Sequence, residues 1–373
     1  MTRREINRMK KLIIEKDKLR SNINIIKNMT QSKIIAVLKG NGYGLGMIDF
    51  AQVLHENGID FFAVSDIGDA VKLSEYLNEN NLAGKVLLLV PATCKDEALL
   101  VIKKGIIPSV GSTAAASVLN EAAAELNTEV DFHLKIDTGF GRFGFLPADI
   151  PGVCDFLKTL QNIRISGTYS HFSFSFSKKE KDVYVQFKIF KGCVDLIREK
   201  GLDPGMLHIC NSCAFLRFPA MHLDAVRIGS AFLGRIPVEN TYGLQKIGFL
   251  KSEIIEIKEL PPNHNIGYAN TYRTRRQTRI GIVPVGYLDG FGVEKSRDVF
   301  RPIDVLRYLY NDITSFNKRL YVKVGQKPAP ILGRISTFNI IVDLTGIDAN
   351  TGDEVILDIN PMFAGSHIER NYI

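Results

Sequence analysis

Eight short apolar runs, near Ile34, Phe61, Leu87, Ile107, Phe132, Ile165, Leu207 and Val226, recur through the first part of this chain with helical spacing between them. The runs are rich in β-branched and aromatic residues and lack a polar alternation, the pattern of strands buried on both faces. The stretches Asp17 to Lys27, Phe50 to Asn57, Ile67 to Asn78, Lys95 to Lys104, Thr113 to Leu126, Ala148 to Leu160 and Lys181 to Lys200 read as helices, with a short one at Asn211 to Leu216. Strands alternating with helices imply parallel βαβ units, and eight of them over about 220 residues fit a closed (β/α)8 barrel. An open doubly wound sheet is the alternative.

After Gly234 the texture changes. Strand-like runs without long intervening helices follow at Phe249 to Ile257, Thr278 to Gly286, Arg319 to Val324, Pro330 to Leu332, Asn339 to Asp343 and Glu354 to Leu357. The chain of 373 residues also exceeds what one core ordinarily holds. The expectation is an α/β protein: a (β/α)8 barrel over residues 12–235, then a mostly β C-terminal domain over 236–373, joined by residues 1–11. The short strand at Lys11 to Ile14 is a candidate member of that second domain.

The net charge of +7 is spread along the chain, with small clusters only at Lys178-Lys179 and Arg273 to Arg276, so no nucleic-acid partner is expected. No run approaches the roughly 18 apolar residues of a membrane span, and the basic N-terminus is not followed by a secretory core. The expected setting is cytoplasmic. Cys94, Cys154, Cys193, Cys210 and Cys213 are odd in number and lack a framework spacing, which favours reduced thiols. Cys210-x-x-Cys213 has no second pair to complete a metal site, so none is expected.

In a barrel, chemistry sits at the carboxyl ends of the strands, and Lys39, Lys135, His171, His208 and Arg227 all fall there. The run Lys33 to Leu38 ends in Lys39-Gly-Asn-Gly-Tyr43-Gly-Leu-Gly, which offers an amine where backbone can approach a ligand closely. It is not a P-loop, because no Gly-Lys-Ser/Thr closes it. Lys135-Ile-Asp-Thr-Gly-Phe-Gly-Arg142 turns through glycines after the fifth strand, and Arg142 supplies a planar fork suited to a carboxylate. Ser170-His171-Phe172, His208-Ile-Cys-Asn211-Ser212 and Arg227-Ile-Gly229-Ser230 follow on the last three strands. Asn211-Ser212 opens a helix, where free N–H groups favour an anion.

Taken together these strings resemble the alanine racemase family, over nearly the whole chain and in the family's order. The resemblance implies bound pyridoxal 5'-phosphate, with Lys39 holding its aldehyde, Tyr43, Ser212, Gly229 and Ser230 near its phosphate, and His171 and His208 beside it. Arg227 would face the pyridine nitrogen. An arginine that keeps its proton leaves that nitrogen unprotonated, so the ring withdraws electrons weakly, which favours racemisation over transamination. Arg142 would bind substrate carboxylate, oriented by Lys135, a lysine often carbamylated in the family.

In the second domain Gly267-Tyr268-Ala-Asn-Thr-Tyr272 and Val285-Gly-Tyr287-Leu-Asp-Gly290 resemble two further family segments. They imply Tyr268 as a second base from a neighbouring subunit, hence a homodimer with shared sites, and Tyr287 at the substrate entrance. A base on each face of a planar carbon is needed because one side chain cannot reach both. Departures lie late: Gly333-Arg-Ile-Ser-Thr337-Phe338 replaces the family's Gly-Arg-x-x-Met-Asp, leaving Thr337 beside the substrate carboxylate. The segment at Pro361 lacks a phosphate-binding tyrosine. The expected function is interconversion of L- and D-alanine. A racemase for serine or a longer amino acid, and a cofactor-binding protein without turnover, are the alternatives.

Overall fold

A computed structural model describes residues 10–294, 296, 297, 300–316 and 318–373. It divides into two compact units, one formed by Lys16–Ile247 and one by the described chain up to Glu15 together with Gly248–Ile373.

After β1 (Lys11–Ile14) come the strands of a closed parallel barrel: β2 (Lys33–Val37), β3 (Phe61–Val64), β4 (Lys85–Leu88), β5 (Ile107–Val110), β6 (Val130–Lys135), β7 (Ile163–Tyr169), β8 (Met206–His208) and β9 (Ala225–Ile228). They pair in chain order, and β9 closes onto β2 with Lys33 opposite Ala225 and Ala36 opposite Ile228. Consecutive residues Ile34 to Val37 are all buried, as expected of a strand packed on both faces. Ile35, Val37, Phe61, Ala63, Leu87 and Ala225 fill the interior. The covering helices are amphipathic; Lys16–Asn28 buries Leu19, Ile23 and Ile26, one face of a 3.6-residue period. Asp66 and Ser112 cap two of them by accepting the N–H of Asp69 and Ala115.

One irregularity matters for the site. Between β6 and β7 the register shifts, so that Phe132 faces Ile165 and His133 faces Gly167 with Ser166 between them, a bulge on β7. The His133 ring then lies against Gly167, where an added Cβ would fall 2.6 Å from His133 Nε2, so that position admits only glycine.

The boundaries differ from the 12–235 division read from the sequence. Residues 236–247 stay with the barrel unit because Ile247 donates its N–H to the Leu233 carbonyl and Asn22 donates to the Phe232 and Gln245 carbonyls. Residues 12–15 leave it, because β1 is a sheet strand of the second unit. Residues 1–9 lie outside the described residues.

Among the described residues, the second unit contains β10 (Phe249–Glu253), β11 (Glu256–Leu260), β12 (Asn265–Ile266), β13 (Tyr272–Arg273), β14 (Thr278–Val283), β15 (Tyr321–Val324), β16 (Lys327–Pro330), β17 (Ile340–Asp343), β18 (Glu354–Leu357) and β19 (Glu369–Tyr372). A six-stranded sheet runs β16-β15-β18-β10-β1-β19, a three-stranded one β11-β14-β17, and β12 pairs with β13. The single run read from Phe249 to Ile257 is therefore two strands in different sheets. The strand read at Pro330 to Leu332 ends at Pro330 instead.

A larger correction is the helix Pro302–Ser315, where no long helix was expected. Its apolar residues Ile303, Leu306, Tyr310 and Ile313 recur at three and four, a helical period, and Pro302 supplies the pre-set φ of a first turn.

Candidate active site

The glycines after Lys39 have a geometric reason. Gly40, Asn41, Gly42, Tyr43 and Gly44 all take positive φ, between 53° and 85°, a left-handed turn that side chains other than asparagine resist. The Asn41 side chain holds the turn by accepting the Met47 N–H at 2.9 Å. The turn leaves Lys39 exposed just past β2, with its Nζ 5.9 Å from the centre of the Tyr43 ring. The Tyr43 hydroxyl lies against Gly229, in the space an added Cβ would take. Burial holds Tyr43 above the usual phenol range, so it stays a neutral donor.

Gly229 and Ala231 donate their backbone N–H groups to Ser212 Oγ at 3.0 and 3.3 Å. Asn211 caps the helix Ser212–Arg217 by accepting the Ala214 N–H, which fixes the neighbouring serine. Tyr43, Ser212, Gly229 and, next to Gly229 in the chain, Ser230 thus share one corner of the barrel mouth. Hydroxyls, backbone N–H groups and a glycine where backbone must be approached closely make a cradle suited to a phosphate.

Deeper in, Arg227 is buried and spends its donors on strand ends: Nη2 on the Ser170 and Ile209 carbonyls and on His171 Nδ1, Nη1 on the His208 carbonyl and, at 2.5 Å, on His208 Nδ1. A guanidinium has only N–H groups, so both imidazole nitrogens facing it must accept. His208 Nε2 therefore carries the hydrogen and donates it to His133 Nδ1 at 2.9 Å. The ring of Tyr169 stacks on His208 at 4.8 Å and 4°, its hydroxyl paired with Ser109. Burial and the Arg227 charge push His171 and His208 well below the ordinary histidine range and His133 down to about 3, so all three are neutral. Burial also lowers Arg227 to about 10, where it still keeps its proton at neutral pH.

Lys135 ends β6 on the same strand face as His133. It is buried between the rings of Phe143 and Tyr169, 5.1 and 5.3 Å away. Desolvation, then the charges of Arg142 and Arg227, lower it to about 8. The Asp137 carboxylate accepts the N–H groups of Gly139, Phe140, Gly141 and Arg142, shaping the loop that carries Arg142. Arg142 is exposed and rests on Phe140, 4.5 Å from the ring centre, and Phe140 in turn meets His171 edge-on at 5.2 Å.

Ten of the residues singled out in the sequence therefore converge at the carboxyl ends of the barrel strands. The remaining three lie on the second unit. Tyr268 is 71% exposed on a short turn. Tyr287 and Thr337 meet through a 2.5 Å hydroxyl contact, and the Tyr287 and Leu288 N–H groups donate to the Ser336 and Thr337 carbonyls. Three contributors went unassigned in the sequence: His133, Asp137 and Tyr169. The first was within reach, since a histidine two residues before Lys135 on a strand must share its face. Among the described residues no group of three or more His, Cys, Asp or Glu side chains is placed to hold a metal. Cys210 is a buried thiol that donates to the Met221 carbonyl and is pushed up to about 12.

Comparison with known proteins places both units. Residues 14–237 match the alanine racemase N-terminal domain and residues 248–362 the alanine racemase C-terminal domain. An alanine racemase from Halothermothrix orenii is 34% identical over 91% of this chain and 84% of that protein. Alanine racemase 1 of Clostridium acetobutylicum is 30% identical over 92% and 84%. Among solved structures, the alanine racemase of Clostridium difficile 630 superimposes with a TM-score of 0.84 at 28% identity, covering 98% of this chain and 95% of that one.

Proposed function

This chain belongs to the alanine racemase family and is a racemase, and on that premise we propose that it interconverts L- and D-alanine with pyridoxal 5'-phosphate as cofactor, in a cytoplasmic homodimer. The observation that carries the cofactor reading is the corner formed by Tyr43, Ser212 and Gly229, where hydroxyls and backbone N–H groups meet beside a glycine with no room for a Cβ. Five free cysteines, and no helix among the described residues long and apolar enough to cross a membrane, support the cytoplasmic setting.

When bound, the cofactor supplies an aldehyde that captures an amine and a ring that draws electrons from the adjacent carbon. Tyr43, Ser212, Gly229 and Ser230 would hold its phosphate, and Lys39 would anchor its aldehyde. Arg227 spends its Nη hydrogens on strand-end carbonyls and on His171 and His208 and stays protonated, so its Nε–H would be the donor it offers the ring nitrogen, with no proton given up. Arg142 would grip the substrate carboxylate, carried by the Asp137 loop, and Lys135 would hold it only once carbamylated, since the unmodified ammonium repels it. Lys39 moves the proton on one face of Cα, and Tyr268 of the partner subunit moves it on the other. Tyr287 and Thr337 border the substrate. Their hydroxyls engage each other.

The test is reduction of the purified protein with borohydride followed by peptide mapping, alongside solvent-deuterium uptake at Cα of alanine and serine. Label on Lys39 and exchange into alanine are expected. Label on another lysine overturns the site, and label on Lys39 with no exchange into any amino acid favours the non-catalytic alternative.

A further inference from the structure

The largest feature the active site does not use is the helix Pro302–Ser315. Along it Ile303, Leu306, Leu309, Tyr310 and Ile313 are each more than half exposed, and Phe300 before it and Phe316 after it are 88% and 78% exposed. Within the helix Asp304 alone is buried, so the apolar face covers none of the described chain around it. A surface helix ordinarily turns such a face inward. At roughly 100 Å² of exposed surface for each large side chain, the stripe exceeds the few hundred Å² at which a patch marks an interaction site.

The chemistry of its flanks narrows the partner. Asp304 is gripped by Arg301 and Arg307, and Asp312 by both terminal nitrogens of Arg297. The guanidinium groups of Arg297 and Arg307 also lie over the Tyr308 ring at 5.2 and 5.5 Å. The charges on the helix and on its amino-terminal flank are consumed within the chain, the helix carries no lysine, and the exposed Lys318 and Arg319 lie beyond its last turn. A helix that lies on anionic lipid or nucleic acid presents unpaired basic residues beside its apolar face, and this one does not.

The spacing 303, 306, 310, 313 is that of alternating a and d positions, the seam by which one helix packs knobs into the holes of a like helix. Leu309 widens the seam at g, and Phe316 follows directly after the last turn. Two such stripes brought together bury on the order of 1,200 Å², the lower bound of a specific interface. We propose that this helix is a self-association surface whose partner is a second copy of the chain, meeting it across a two-fold axis so that the same patch is used by both. The proposal rests on the homodimer reading only in requiring identical subunits. It adds a contact that the shared active sites do not need.

The experiment compares the full-length holoprotein with its Leu306→Glu/Ile313→Glu variant by sedimentation velocity over a concentration series, with cofactor absorbance as a check on the barrel. Expected is at least a tenfold weaker association or a halved mass for the variant, with absorbance unchanged. A second measurement needs no substitution: hydrogen exchange of wild-type residues 302–315 should slow as protein concentration rises. Equal association of variant and wild type, or exchange independent of concentration, overturns the proposal. Slowing caused only by added vesicles or by another protein overturns it too. Subunit complementation between site variants, persisting in the helix variant, separates failure here from failure of the shared-site reading.

Discussion

The arrangement of hydrogens on His208 follows from one neighbour. Arg227 forces Nδ1 to accept, Nε2 then donates to His133, and the pair stays neutral deep in the barrel. Because the folded value of His133 lies near 3 against 6.5 unfolded, the unfolded chain takes up the extra proton between those values. Stability conferred by neutral His133 is therefore complete above 6.5 and lost as pH falls, by up to about 1.4 kcal/mol per pH unit. His133→Phe should flatten the fall measured by urea unfolding between pH 5 and 7.5. It should also cost about 1–3 kcal/mol at pH 7.5 by stranding the His208 N–H, and His133→Gln, which restores an acceptor, should recover part of that. Lys135 gives the opposite pH sense: its neutral amine, the form that reacts with carbon dioxide, reaches half population near pH 8 rather than 10.5. A carbamate signal in carbon-13 NMR under labelled bicarbonate should grow as pH rises through 8, and Lys135→Ala should abolish it. The placing of Lys39, Lys135, Arg142 and Arg227 at the ends of the barrel strands was legible in the sequence, where they stand in glycine-rich strings. His133 was within reach through its two-residue spacing from Lys135, but Tyr169 was not, because nothing local distinguishes a working strand residue from a core one.

Among the elements, the left-handed turn after Lys39 and the loop after Lys135 solve the same problem in two ways. The first uses glycines and asparagine to reverse the chain within five residues, and the second uses one carboxylate that gathers four N–H groups. Asp137→Ala should release that loop, raising KM for the amino acid by about tenfold or more through a misplaced Arg142, with cofactor binding unchanged. Steady-state kinetics beside a cofactor titration checks this split. The eight strands were legible because each is an unbroken apolar run. The bulge opposite His133 was not, since Ser166-Gly167 reads as ordinary strand until the ring over Gly167 is seen. The helix Pro302–Ser315 was missed for another reason. A setting of strands outweighed its own period, and with no core face to bury, the sequence there carries no tertiary cue.

At the scale of the molecule, the proposed site residues divide between two units, ten in the barrel and three in the sheet-rich unit. A site shared between subunits makes a sharp prediction: inactive Lys39→Ala and inactive Tyr268→Phe proteins, mixed under conditions of subunit exchange, should regain up to about a quarter of wild-type activity, because half the molecules are hybrids with one intact site each. A racemisation assay before and after mixing decides it, and no recovery despite demonstrated exchange removes the shared site.

The place of β1 sets the order in which the chain is finished. Leu12 stands between Leu250 on one side and Arg370 on the other, so the first described strand is an inner strand of a sheet whose other members come from the far end. At a translation rate of roughly 5–20 residues per second, β1 leaves the ribosome on the order of ten to fifty seconds before its first partner exists. The barrel can close while its own amino-terminal extension still waits, an unpaired strand edge exposed to chaperones and to other nascent chains.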